Sequence, residues 1–166
     1  QISDEMAPEI NGRYRVYCLG PTVSNLLMWA HYAENHSGVC LEFDIANETL
    51  CGALKCDYLP AFPLMKLHDH SEDAALLILL SKSEVWSHEE EYRLIAQERA
   101  VAIPGADTLM TDDSLLQLPV GALRAVITGC QTDHDSVRTL VQQVAPEVRV
   151  RRAVRVRNRY ELAIER

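Results

Sequence analysis

The stretch VRVRRAVRVRNRYELAIE, residues 148–165, alternates arginine with valine over most of its length. Successive side chains of a strand point to opposite faces, so a period of two marks an extended chain with one face in a core. Wound into a helix, the same residues would be scattered around the whole circumference. Val150, Val154, Val156, Tyr160, Leu162 and Ile164 stand at even positions, whereas Arg149, Arg151, Arg155, Arg157 and Arg159 are odd and Arg152 alone breaks the rule. The expectation is a pair of strand segments, as a hairpin or one bent strand, with a buried apolar face. The other face is basic, solvated and blunts an exposed sheet edge. A patch that contacts phosphate is the alternative use of the same arginines.

Helical and strand-like segments interleave along the rest of the chain. RYRVYCL (13–19) reads as a strand stopped by Gly20-Pro21. NLLMWAHYAEN (25–35) has helical spacing, with Thr22 or Ser24 able to cap it and Asn35-His36-Ser37-Gly38 to end it, Gly38 in a positive-φ turn. GVCLEFDI reads as a strand with Val39, Leu41 and Phe43 on one face and Cys40, Glu42 and Asp44 on the other. Leu54 to Tyr58 is a further strand, Ser71 to Val85 an apolar helix, Trp86 to Ala102 a strand and GADTLMTDDS an exposed loop. LRAVITG (123–129) is a buried strand, and Asp133 to Val144 a helix. The class is α+β, a mixed α/β single domain over 1–166 with a mostly antiparallel or mixed sheet flanked by about three helices.

At 166 residues, with 48% hydrophobic and 24% charged, the chain can bury one substantial core. Its formal net charge of -8 argues against holding nucleic acid or anionic lipid by a general basic field, though a local basic patch is compatible with it. Cys18, Cys40, Cys51, Cys56 and Cys130 are odd in number and make no CxxC pair. With no secretory segment at the start, they imply a reducing, cytoplasmic setting. The longest apolar run, AALLILL (74–80), is too short to cross a bilayer.

The acidic residues bear most on chemistry. In WSHEEEYRLIA, three glutamates stand ahead of a strand that contains Arg93. If the strand begins by Glu89, then Glu89, Glu91 and Arg93 share a face, with neighbours roughly 6.5 to 7 Å apart. Two carboxylates so placed can raise one another's pKa or share a cation or a substrate hydroxyl, while Glu90 faces solvent. The structural alternative is that Glu89 caps the strand and Glu91 pairs with an arginine. His31, His36 and Cys40, and His68 with His70, meet no closed zinc spacing, so no metal site is assigned.

LLMWAHYAENHSGVCLEFD, then KSEVWSHEEEYRL as a K-S-x-x-W-x-x-E-x-E-Y-R-L element, then LRAVITGCQT and YELAI together resemble the bacterial domain-of-unknown-function family twenty-nine seventy-one. The resemblance runs from about Arg13 to Ile164. Members of that family usually begin with a further segment that has no counterpart ahead of Gln1, so a missing N-terminal part is expected. More distantly, the E-x-E element is similar to that of ADP-ribosyltransferase-like domains. That resemblance implies Glu91 as the carboxylate that polarises the ribose of NAD, Glu89 as the partner that activates the acceptor, and Arg93 or a remote arginine as a phosphate clamp. His31 and Tyr32 would line the cleft, with Trp29 packed behind them.

Three functions follow. One is an enzyme on a nucleotide-like small molecule, with NAD as substrate and oligomeric state open. Another is a phosphodiesterase or nuclease in which Glu42, Asp44, Glu89 and Glu91 converge on Mg²⁺ or Mn²⁺, which requires their two strands to be neighbours. The third is a non-catalytic domain whose E-x-E-Y-R cluster is an ion-pair network that sets strand register.

Overall fold

The computed structural model describes residues 6–63, 72–98 and 109–165. The chain forms two compact units, one from Gln1–Pro21 and Glu48–Leu118, the other from Thr22–Asn47 and Pro119–Arg166. Antiparallel and parallel strand pairs both occur and helices are interspersed, which is the α+β class the interleaved periodicities imply.

The first unit opens with α1 (Met6–Arg13), which runs directly into β1 (Tyr14–Leu19). After a 3₁₀ turn at Leu50–Gly52 come the short strands β3 (Leu54–Lys55) and β4 (Asp57–Leu59), interrupted at Cys56. Helix α3 (Glu72–Leu80) gives way to β5 (Ser81–Ser83), a second 3₁₀ segment spans Glu84–Glu89, and β6 (Tyr92–Glu98) and β7 (Met110–Thr111) follow. Strand β6 is central: β1 pairs with it antiparallel on one side, and β3 and β7 also pair with it. A separate parallel pair joins β4 to β5, with Tyr58 opposite Lys82.

This corrects two expectations. The helix foreseen to Val85 ends at Leu80, where the Ser81 hydroxyl bonds the Leu77 carbonyl at 2.6 Å and the chain turns extended to pair with β4. The strand foreseen from Trp86 begins only at Tyr92, because the 3₁₀ turns and a left-handed Glu90 (φ 48) intervene. Of the loop foreseen at 105–114, the described part contains β7.

The second unit contains α2 (Leu26–Tyr32), β2 (Val39–Phe43), β8 (Leu123–Thr128), α4 (His134–Val144), β9 (Arg149–Arg155) and β10 (Leu162–Glu165), with strand order β10-β9-β8-β2. Strands β8 and β9 are parallel and joined through α4, while β9 and β10 form the antiparallel hairpin that the period of two suggests. Asn25, rather than Thr22 or Ser24, caps α2, its side chain accepting from the Leu27 N–H at 3.0 Å; Thr22 and Ser24 bond each other. Asp133 caps α4 by accepting from the Ser136 N–H.

The turn after α2 is made by three non-glycine residues in the left-handed region, Glu34, Asn35 and His36, and Gly38 does not share that conformation. Gly38 instead packs closely, since a Cβ on it would come within 3.1 Å of the Ala33 backbone. Gly129 is more restricted still: a Cβ there would lie 2.1 Å from the His36 carbonyl oxygen. The Gly129 N–H donates to the Gly38 carbonyl at 3.0 Å, so this close approach docks the β8–α4 loop on the α2–β2 turn.

The basic strand is the largest correction. Strand β9 lies between β10 and β8 and is not an edge, and its sheet is covered on both faces. Ala125, Ile127, Ala153 and Leu162 pack with Trp29 and Ala33, whereas Val126, Val148 and Val150 pack with Val137 and Val141 of α4. Odd-numbered Ala153 is therefore wholly buried, Val150 and Val154 are only half-buried, and Tyr160 lies outside the strands. On β2, Cys40 packs toward the core while Val39 and Leu41 are exposed. Among the described residues, no helix is long and apolar enough to cross a membrane.

Candidate functional site

The unusual chemistry of the first unit gathers where β5, the second 3₁₀ segment and the start of β6 meet. Glu89 closes the 3₁₀ segment, the left-handed Glu90 reverses the chain with its own side chain in solvent, and Glu91 returns to the interior. Glu89 is 3% exposed and Glu91 4%. The backbone of Glu91 is held on both sides, its N–H donating to the Tyr58 hydroxyl at 2.8 Å and its carbonyl accepting from the Cys56 N–H at 2.9 Å.

Lys82 joins the two carboxylates. Its ammonium donates to Glu89 and, at 2.6 Å, to Glu91 Oε2. Arg93 Nε donates to Glu91 Oε1 at 2.8 Å, with a longer 3.5 Å contact from a terminal nitrogen to Oε2. A second terminal nitrogen of Arg93 donates to the Leu79 carbonyl near the end of α3. Cys18 stands opposite Arg93 in the β1–β6 ladder, hence on the same face, and its thiol hydrogen-bonds Glu91. Trp86 and Glu89 are three apart on a 3₁₀ turn and so share an edge; Lys82 Nζ lies 5.8 Å from the Trp86 ring centroid.

Two acids and two bases thus form a neutral, closely bonded group. Burial alone pushes the Glu91 pKa up; hydrogen bonds from Arg93, Cys18 and Lys82, with the Arg93 charge, outweigh it and bring the carboxyl down to about 2. Burial likewise opposes the charge on Lys82, yet its bonds to Glu89 and Glu91 and their negative charges raise its pKa well above the ordinary lysine range. The Arg93 guanidinium is held charged against burial in the same way, chiefly by Glu91. Near neutral pH Lys82 and Glu91 therefore keep their charges, and the group presents a fixed field.

Cys18 reports on that field. Cys18 is exposed as a residue, yet desolvation on the side of its thiol first, then the hydrogen bond to Glu91 and its negative charge, push the thiol up to about 11. Alkylation of Cys18 by iodoacetamide, followed by peptide mass spectrometry, is therefore expected to be slow at pH 8 and to accelerate toward pH 11. Glu91→Gln should bring that titration down, because it removes the anion. Fast labelling at pH 8 in the native protein would contradict the hydrogen bond.

Four other sequence-predicted residues belong to the second unit. His31 and Tyr32 are in the second unit, exposed in the last turn of α2, their rings edge-on with centroids 6.3 Å apart. Glu42 is also there, held by Arg151 at 3.0 Å and Arg149 at 3.7 Å, and Asp44 is held by Arg124. A backbone bond from Ala46, then Arg124, keeps the Asp44 carboxyl below its usual range. The metal reading needed the strands of these residues to be neighbours; β2 instead pairs with β8, while β6 belongs to the other sheet.

Among the described residues, His31, His36 and Cys40 do not form a metal-ligand group. Glu98, Asp112 and Asp113 do bring their oxygens within 4.8 Å of one another, with Glu98 bonded to Thr111 and Ser114 and paired with Arg15. His68 and His70 lie outside the described residues.

Sequence reasoning missed Lys82, Tyr58 and Cys18 as members of the cluster. Only Lys82 left a trace: a cation between two serines, directly after an all-apolar helix end and at the head of the K-S-x-x-W-x-x-E-x-E element. A family model described as "Protein of unknown function (DUF2971)" matches residues 28–94, a stretch that holds Met28 to Asp44 of the first element and, of the first unit's cluster, Tyr58, Lys82, Glu89, Glu91 and Arg93 but not Cys18. The chain's resemblance to that family is thereby borne out over this stretch, with LRAVITGCQT and YELAI beyond it. No curated protein and no solved structure matches the chain.

Proposed function

We propose that the first unit acts on a nucleotide of the NAD type, with Glu91 as the catalytic carboxylate. The observation that supports this reading is an ionised, buried carboxylate oriented from both sides by cations at 2.6 and 2.8 Å. In cleavage of the glycosidic bond, nicotinamide leaves with the bonding electron pair and the ribose C1′ becomes cationic. A negative charge already fixed in place stabilises that centre without reorganising. The acceptor hydroxyl or water then bonds to C1′, and its proton passes to Glu89. Lys82 and Arg93 act in this scheme as positioning residues for the two carboxylates.

A second reading is favoured by one specific observation: the charges of Lys82, Glu89, Glu91 and Arg93 satisfy one another. A group so matched can serve wholly to fix the 3₁₀ segment on β5 and β6. Calorimetric titration with NAD and an assay of released nicotinamide separate the two, native protein beside Glu91→Gln. The catalytic reading expects saturable NAD binding and a loss of about 10²- to 10³-fold in release on substitution. Exposed Glu90→Gln should leave both unchanged. Absence of NAD binding, or equal release from folded Glu91→Gln, would leave the structural reading in its place.

A further inference from the structure

The arginines of the second unit fall into two sets. Arg124 is bound to Asp44, Arg138 to Asp135 at 2.7 Å, and Arg149 and Arg151 to Glu42. Arg152 faces Glu165 across the β9–β10 ladder. Among the described residues no carboxylate pairs with Arg155 or Arg157, and Arg159 has only Glu161, at 3.5 Å with both side chains exposed. An exposed pair of that kind contributes little and is readily exchanged for another anion.

These three arginines belong to one tight turn. Strand β9 ends at Arg155 and β10 begins at Leu162. Between them the Val156 N–H donates to the Glu161 carbonyl at 3.0 Å, the Arg159 N–H donates to the Val156 carbonyl at 3.3 Å, and Asn158 is left-handed with φ 60. The same turn presents Tyr160, whose exposure is 102%. A hydrogen-bonded hairpin tip thus carries three exposed arginines and, next to Arg159 in sequence, an aromatic ring wholly in water.

We propose that this hairpin tip binds single-stranded nucleic acid, with Arg155, Arg157 and Arg159 on phosphates and Tyr160 stacked on a base. Guanidinium forks match phosphate oxygens, and an exposed phenol ring offers a face on which any unpaired base can stack. A duplex hides those base faces, and an acidic peptide has no comparable flat ring to cover Tyr160. The chain's net charge of -8 opposes long-range capture of a polyanion, so the contact is local, weak and sensitive to salt. The inference does not depend on the chemistry proposed for the first unit.

Fluorescence anisotropy with labelled single-stranded 12-residue RNA and DNA, using the full chain, tests it. Three phosphate contacts predict that log K falls with log salt with a slope of about -2. Tyr160→Ala should weaken binding roughly 5- to 100-fold at an unchanged slope, and Tyr160→Phe should retain it. The combined Arg155→Gln, Arg157→Gln and Arg159→Gln variant should flatten the slope. All four side chains are exposed, so unchanged thermal melting is expected and checked. Absence of binding at low salt, equal binding of duplex or polyglutamate, or a Tyr160→Ala protein that binds as tightly as the native one would overturn the proposal.

Discussion

Lys82→Met is expected to destabilise the protein by about 3–5 kcal/mol, the range for removing one partner from a buried ion pair. Methionine keeps most of the stem length and takes away the ammonium, so packing is little changed and the effect is electrostatic. The Lys82 side chain is 18% exposed while those of Glu89 and Glu91 are 2% and 5% exposed, so two carboxylates lose a donor in a place water scarcely reaches. Arg93 still bonds Glu91, while Glu89 loses its bond to Lys82. Urea denaturation of the native protein and the variant measures the loss. In the Lys82→Met background Glu89→Gln should recover part of it, since it removes a buried negative charge that has lost its bond to the lysine and keeps the shape. A loss below about 1 kcal/mol, the worth of an exposed pair, would mean that water reaches the cluster.

The second large effect is in acid. Glu91 ionises near pH 2 in the folded chain against an ordinary value of 4.5, so the folded state favours its charged form. A depressed carboxylate pKa contributes stability that is fully present above the unfolded value and is lost as pH falls through the folded one. Two and a half pH units set an upper bound of about 3 kcal/mol, which solvent screening around the carboxyl reduces. Between pH 4.5 and 2, native protein should therefore lose more stability than Glu91→Gln, by up to about 3 kcal/mol, read from denaturant melts at fixed pH values. Parallel loss in the two proteins would show that Glu91 is not held ionised. Lys82 gives the opposite limb: its raised pKa contributes stability that is complete below 10.5 and declines only above it.

The first effect turns on a residue that the sequence hardly advertised, and the reason is physical. The alternation at 148–165 and the Asp133-capped helix are local patterns, repeated within a few residues, and both elements appear where the periodicity puts them. The E-x-E-Y-R run likewise marks Glu91 and Arg93 as partners, and they bond at 2.8 Å. Lys82 is different. It meets Glu89 and Glu91 because β5 pairs in parallel with β4, α3 stops at Leu80, and a 3₁₀ segment replaces the start of a strand. The β4–β5 pairing depends on contacts between distant parts of the chain. The left-handed Glu90 adds a backbone reversal that periodicity does not show: spacing by twos would have put Glu89 and Glu91 on one strand face, whereas a single positive φ brings both inward from different segments.

The period of two at 148–165 determined, by itself, that the chain would extend there, because side-chain direction on a strand follows from backbone geometry alone. Which residues of that strand would be buried was decided only in the tertiary structure. Helices pack on both sides of the β8–β9 pair, so Ala153 is enclosed while Val150 and Val154 stay half-buried, and Arg151 reaches Glu42 across the sheet. Alternation states that two faces exist. What covers each face is settled by elements far away in sequence, and no local pattern carries that information.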